Sequence, residues 1–101
     1  MIFLGIDCGT QSTKTVALDA EAGTVFASAQ KTYGILPSSS PGAMEQNPED
    51  WRDAARETIG EVLNALGARK DDVRGIGVSG QQHGLVVLDK AGDVVRPAKL
   101  W

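Results

Sequence analysis

At Asp7 an apolar run meets a carboxylate, and this junction constrains the chain more than any other stretch. Phe3-Leu4-Gly5-Ile6 leads straight into Asp7. A loop of small residues with hydroxyl or amide groups follows, then Lys14, and the chain turns apolar again through Val16 and Leu18. The β-branched, short segment after the loop reads as a second strand, so the loop is predicted to be the tip of a β-hairpin. A carboxylate at the end of a buried strand is costly unless it is paired, hydrogen-bonded or near a metal. The Gly9-Thr10-Gln11-Ser12 loop offers backbone and hydroxyl donors, and Lys14 adds a positive charge. Donors plus a cation suit phosphate oxygens. A carboxylate suits Mg²⁺, usually through bound water. The pattern is neither the Gly-x-x-x-x-Gly-Lys loop nor the Gly-x-Gly-x-x-Gly fingerprint. Asp and Gly are also common turn residues, so Asp-x-Gly-Thr alone fits a plain turn equally well.

Beyond the hairpin, Gly23 closes a turn and Thr24–Tyr33 alternates, with Val25, Ala27 and Ala29 expected on one face. This predicts a three-stranded antiparallel meander. Residues 34–46, centred on Pro37-Ser38-Ser39-Ser40-Pro41-Gly42, are expected to be loop throughout. A helix should follow. Asn47 is a good N-cap, Pro48 fits the first position, Glu49 and Asp50 favour the positive end, and Gly67 is placed to terminate it. Trp51, Ala54, Ala55, Thr58, Ile59, Val62, Leu63 and Leu66 make the apolar stripe. Gly60 in mid-helix is expected to permit close approach to the sheet, because it costs about 1 kcal/mol against Ala.

Val73–Ser79 reads as a strand parallel to the first, in the middle of the sheet. Its end then falls near the tip that carries Asp7, and open α/β sheets collect ligands at such ends. Leu85–Asp89 is expected to be another strand, with Lys90–Asp93 a turn and Val94-Val95 pairing back. Between these strands Gln81-Gln82-His83-Gly84 brings two amides and an imidazole between glycines. Such a set suits a polyhydroxylated ligand, and also an ordinary surface turn. His83 is the only histidine, so a histidine-rich metal site is excluded. Ser79 lacks the spacing of a nucleophile elbow.

The net charge of -3 gives no hint of nucleic acid or an anionic membrane as partner. A lone Cys8 rules out an internal disulfide and fits a reducing cytoplasm, with packing as its expected role. No leader or membrane span is read in these residues. Ala98–Trp101 looks like the middle of an element.

The opening stretch resembles the first phosphate motif of the actin-like ATPase and sugar kinase superfamily, whose members open with a strand, an Asp-x-Gly-Thr loop and a second strand. Ile76–Gly84, followed by Leu88-Asp89 and Arg96–Trp101, resembles the N-terminal part of the carbohydrate kinase family that includes glycerol kinase, its xylulokinases above all. Met44–Trp51 is similar to that family's Glu-Gln-x-Pro-x-x-Trp segment. The resemblance implies an α/β, ribonuclease-H-like mixed sheet of meander, helix, parallel strand and hairpin. Residues 1–101 would be the N-terminal part of the first, sugar-binding-side domain, an incomplete domain with the second one absent.

The resemblance further implies ATP-dependent phosphorylation of a ketopentose, D-xylulose foremost, by the parent enzyme in the cytoplasm. Asp7 would be the catalytic, metal-associated aspartate, acting with Mg²⁺. Gly9, Thr10, Gln11, Ser12 and Lys14 would hold the ATP phosphates. Gln82, His83 and Trp101 would contact the sugar, although many xylulokinases have Met where this chain has Gln82. The family's catalytic base and adenosine pocket fall outside these residues. A homodimeric parent is compatible with the sequence. The competing readings are an actin- or chaperone-type nucleotide switch, and a structural unit without activity of its own.

Overall fold

A computed structural model describes residues 1–37 and 41–100. The meander forms as expected: β1 (Ile2–Cys8), β2 (Ser12–Asp19) and β3 (Thr24–Thr32) are antiparallel neighbours. After α1 (Pro48–Leu66) and a short 3₁₀ helix (Gly67–Asp72), β5 (Val73–Gly80) returns to lie parallel beside β1. The order β3-β2-β1-β5 makes β5 an end of this sheet, not its middle. Two short strands, β4 (Glu45–Gln46) and β6 (Ala98–Lys99), pair separately.

Period-2 alternation gives the sheet two distinct faces. Ile2, Leu4, Thr13, Thr15, Ala17 and Ala29 are buried on the face that receives Ala54, Thr58, Val62 and Leu66 of α1. Phe3, Gly5, Asp7, Lys14 and Val16 fall on the other. The helix forms for the local reasons read from the sequence. The Asn47 side chain accepts a hydrogen bond from the Glu49 N–H at 3.1 Å, Pro48 sits in the first turn, and Gly67 ends the helix at φ 60°. α1 packs over β2 and β3, so Ile76 and Val78 of β5, on the same face, stay 59% and 70% exposed.

Four further expectations need correcting. Gly60 is exposed, and a Cβ there would meet nothing within 4 Å, so no close approach to the sheet explains it. Val25 is not on the packed face. The β2–β3 register slips between Ala17 and Leu18, making Phe26 the extra residue of a bulge. Val25 is thereby 58% exposed, while the Arg69 guanidinium lies 4.7 Å from the centre of the Phe26 ring. Residues 34–46 are not loop throughout, because Glu45 and Gln46 pair with Lys99 and Ala98. Leu85–Asp89 is not a continuous strand. It makes isolated bridges, Leu85 to Lys99 and Leu88 to Val94, around the turn that Gly92 closes. Among the described residues no helix is long and apolar enough to cross a membrane.

Candidate functional site

The strand tips carry the site. β1 pairs Asp7 with Lys14 across the hairpin and with Ser79 across the parallel ladder. These three line an open hollow of about 500 Å³ on the face away from α1. Gly5 and Gly77, partners in the ladder, help form its floor. Lacking side chains there, they leave the hollow open; a Cβ on Gly5 would already come within 3.3 Å of Val16. Asp7 and Lys14 are both exposed and therefore available to a ligand.

The loop between β1 and β2 is closed by the Gly9 N–H donating to the Ser12 carbonyl at 2.9 Å. Side chains from the helix side of the sheet then fasten it. The Tyr33 hydroxyl donates to the Gly9 carbonyl at 2.5 Å. It also lies 3.1 Å from the Thr13 hydroxyl and 3.8 Å from the Cys8 thiol. A phenol has one proton, and it goes to the carbonyl, which can only accept, so Thr13 must donate to Tyr33. Burial, with a smaller effect from Cys8 and Asp7, pushes the Tyr33 pKa up to about 12. The phenol thus stays protonated, as its donor role requires. Cys8, half-buried, lies beside this cluster.

Gln46 fastens the next carbonyl. Its side chain is 1% exposed, and all its hydrogen-bonding capacity is used. The indole N–H of Trp51 can only donate, which fixes the atom it meets as Gln46 Oε1, at 2.9 Å. Nε2 then faces the Thr10 carbonyl at 2.6 Å and the Gly34 carbonyl at 3.5 Å. Gln81 completes the network. Its Nε2 donates to Gln46 Oε1 at 3.2 Å and to the Gly9 carbonyl at 3.5 Å, and its Oε1 accepts from the Thr10 hydroxyl at 3.4 Å. One amide network therefore joins the β1–β2 loop, the end of β5 and the start of α1.

Of the sequence-predicted site residues, Asp7 and Lys14 share the hollow, with Gly9, Thr10, Gln11 and Ser12 at its end of the hairpin. Gln82 and His83 lie in the exposed turn after β5, outside the lining of that hollow. His83 has φ 59°, uncommon for a residue with a side chain. Trp101 lies outside the described residues. Tyr33, Gln46 and Trp51 were missed as site residues. Gln46 and Trp51 stand in the Glu-Gln-x-Pro-x-x-Trp segment, and an amide just ahead of a helix N-cap was the available signal. Among the described residues no group of three or more His, Cys, Asp or Glu could hold a metal ion.

Residues 2–101 match the N-terminal domain of the FGGY family of carbohydrate kinases. A xylulose kinase from Streptomyces coelicolor is 42% identical over 100 residues, which is 99% of this chain and 19% of that protein. A xylulose kinase sequence from an Arthrobacter species is 43% identical, over 96% of this chain and 88% of that sequence. Among solved structures, a xylulose kinase from Rhodospirillum rubrum superposes with a TM-score of 0.87 at 32% identity, covering 99% of this chain and 20% of that one. The chain thus spans about a fifth of the length of most of these relatives.

Proposed function

This chain belongs to the FGGY family of carbohydrate kinases, and on that premise we propose that the protein containing it transfers the γ-phosphoryl group of ATP to a ketopentose, D-xylulose foremost. The observation that carries the reading is the shared hollow: Asp7 and Lys14 face it together, next to a donor-rich loop and one strand away from the Gln81–Gly84 turn. The xylulose kinases among its relatives supply the substrate class. Residues 1–101 would form the N-terminal part of the sugar-binding-side domain.

In phosphoryl transfer the protein mainly positions groups and balances charge. Lys14 would attract phosphate oxygens, and the Gly9–Ser12 loop would donate to them. Magnesium entering with ATP needs only one or two protein carboxylates beside the phosphates, and Asp7 would supply one. When bound, that ion offsets the charge of the transferring group. Gln82 and His83 would hydrogen-bond the sugar hydroxyls from the neighbouring turn, whose exposure leaves their side chains available.

The test is phosphorylation by the full-length protein, with MgATP and a panel of D-xylulose, D-ribulose, L-ribulose and glycerol. ADP release should depend on the sugar and be fastest with D-xylulose, giving a phosphorylated pentulose by mass spectrometry. ATP turnover indifferent to every sugar would instead favour a nucleotide switch.

A further inference from the structure

Two successive carbonyls of the β1–β2 loop are each taken by a side chain that lies on the face away from the hollow. Cys8 and Thr13, partners in the β1–β2 ladder, lie on the helix face of the sheet. The Tyr33 hydroxyl contacts both, so it approaches the loop from that face. Gln46 approaches from the same side, tied to Trp51 in the first turns of α1. Tyr33 takes the Gly9 carbonyl and Gln46 takes the Thr10 carbonyl. In a trans peptide the C=O of one residue and the N–H of the next point in opposite directions. Two successive carbonyls drawn to the helix face therefore send the Thr10 and Gln11 N–H groups to the other face, where Asp7 and Lys14 stand. Among the described residues neither N–H donates to a protein acceptor. Two adjacent outward N–H groups form an anion-binding concavity.

We propose that Tyr33 and Gln46 are positioning residues for nucleotide binding: they fix the Gly9–Thr10 and Thr10–Gln11 peptides so that both N–H groups meet phosphate oxygens in the Asp7–Lys14 hollow. The identity of the anion rests on the kinase reading; the orientation of the peptides does not. Trp51 supports Gln46 through its indole N–H, and Gln81 links the same network to the turn carrying Gln82 and His83.

The experiment is calorimetry on the full-length protein with MgADP and, separately, with adenosine. Tyr33→Phe removes the hydroxyl that donates to Gly9 and accepts from Thr13, and Gln46→Met removes the amide with little change of size. Each is expected to weaken MgADP binding about tenfold, the scale of a lost charge-assisted hydrogen bond, and to leave adenosine affinity within about twofold. Wild-type MgADP affinity in both variants, or an equal loss for adenosine, overturns the proposal. Should either variant fail to fold, hydrogen exchange on the wild type decides. MgADP, and not adenosine, should protect the amides of residues 10 and 11, and absence of that protection overturns the proposal. A protein that binds MgADP in this way yet phosphorylates no sugar would sink the kinase reading while supporting this one. Sugar phosphorylation with unaltered MgADP affinity in both variants would do the reverse.

Discussion

Asp7 on β1 stands directly opposite Lys14 on β2, and both line one hollow, yet among the described residues neither belongs to an ion pair. An exposed pair of this kind would gain at most about 1 kcal/mol from closing. Each charge is therefore free to serve a ligand at little cost; in the proposed reading the cation takes phosphate and the carboxylate a metal.

Lys14→Met should accordingly raise the KM for ATP about ten- to a hundredfold, the range for losing a charge-assisted contact. Sugar KM should move less. Steady-state kinetics at fixed ionic strength, varying one substrate with the other saturating, separates the two. Parallel changes in both KM values would remove Lys14 from the phosphate site.

Thr15 and Thr58 join the sheet to the helix through a hydroxyl contact of 2.8 Å in the core, with both residues fully buried. Thr58 donates to the Ala54 carbonyl at 2.8 Å, so Thr15 must be the donor to Thr58. Thr58→Val strands that donor and should cost about 1–3 kcal/mol, whereas Thr15→Val should cost about 1 kcal/mol. The double variant should cost less than the sum, because neither polar group remains. Urea unfolding of the four proteins gives the coupling directly, and strict additivity would refute the shared proton.

Gly60→Ala should stabilise the protein by about 1 kcal/mol. The site is an exposed helix interior with open space around the added methyl, so only the entropic and propensity terms remain. A lower unfolding midpoint would mean that another surface closes on this face of α1.

Asp19 sets a pH dependence. The Arg69 guanidinium, donating at 2.7 Å, holds its carboxyl below the ordinary carboxylate range, helped by the Ala22 and Glu21 amides at 3.1 Å. A depressed folded-state pKa contributes stability that is present above the unfolded value of about 3.9 and is lost as pH falls through the folded one. The difference in urea midpoint between wild type and Asp19→Asn should therefore be widest near neutrality and narrow below about pH 4. A constant difference across that range would show the ion pair to be irrelevant.

How much of this was legible in the sequence depends on the range of the interaction. The helix was readable because Asn47, Pro48 and Gly67 act on backbone within a turn of themselves. The meander was readable because the apolar run into Asp7, the β-branched segment after the loop and the turn at Gly23 are each local signals. The Phe26 bulge was not, since it reflects a one-residue slip between two strands that each look regular alone. Leu85–Leu88 has strand composition but lacks a continuous partner, and composition cannot supply one. Asp7 and Lys14 were singled out from their neighbours in the chain, and the fold sets both at one hollow. Gln46 was not, because its bond to Thr10 spans 36 residues and exists only once α1 has docked.

The central claim is that Asp7 serves phosphoryl transfer and not sugar binding or folding. It is tested most directly by measuring kcat for Asp7→Ala in the full-length protein with saturating MgATP and D-xylulose, with xylulose affinity measured by calorimetry on the same sample. We expect kcat to fall by about 10²–10³, the scale of losing one electrostatic group at a reacting centre, and the xylulose Kd to stay within about twofold. Turnover equal to wild type, or loss of sugar binding in step with kcat, would contradict it.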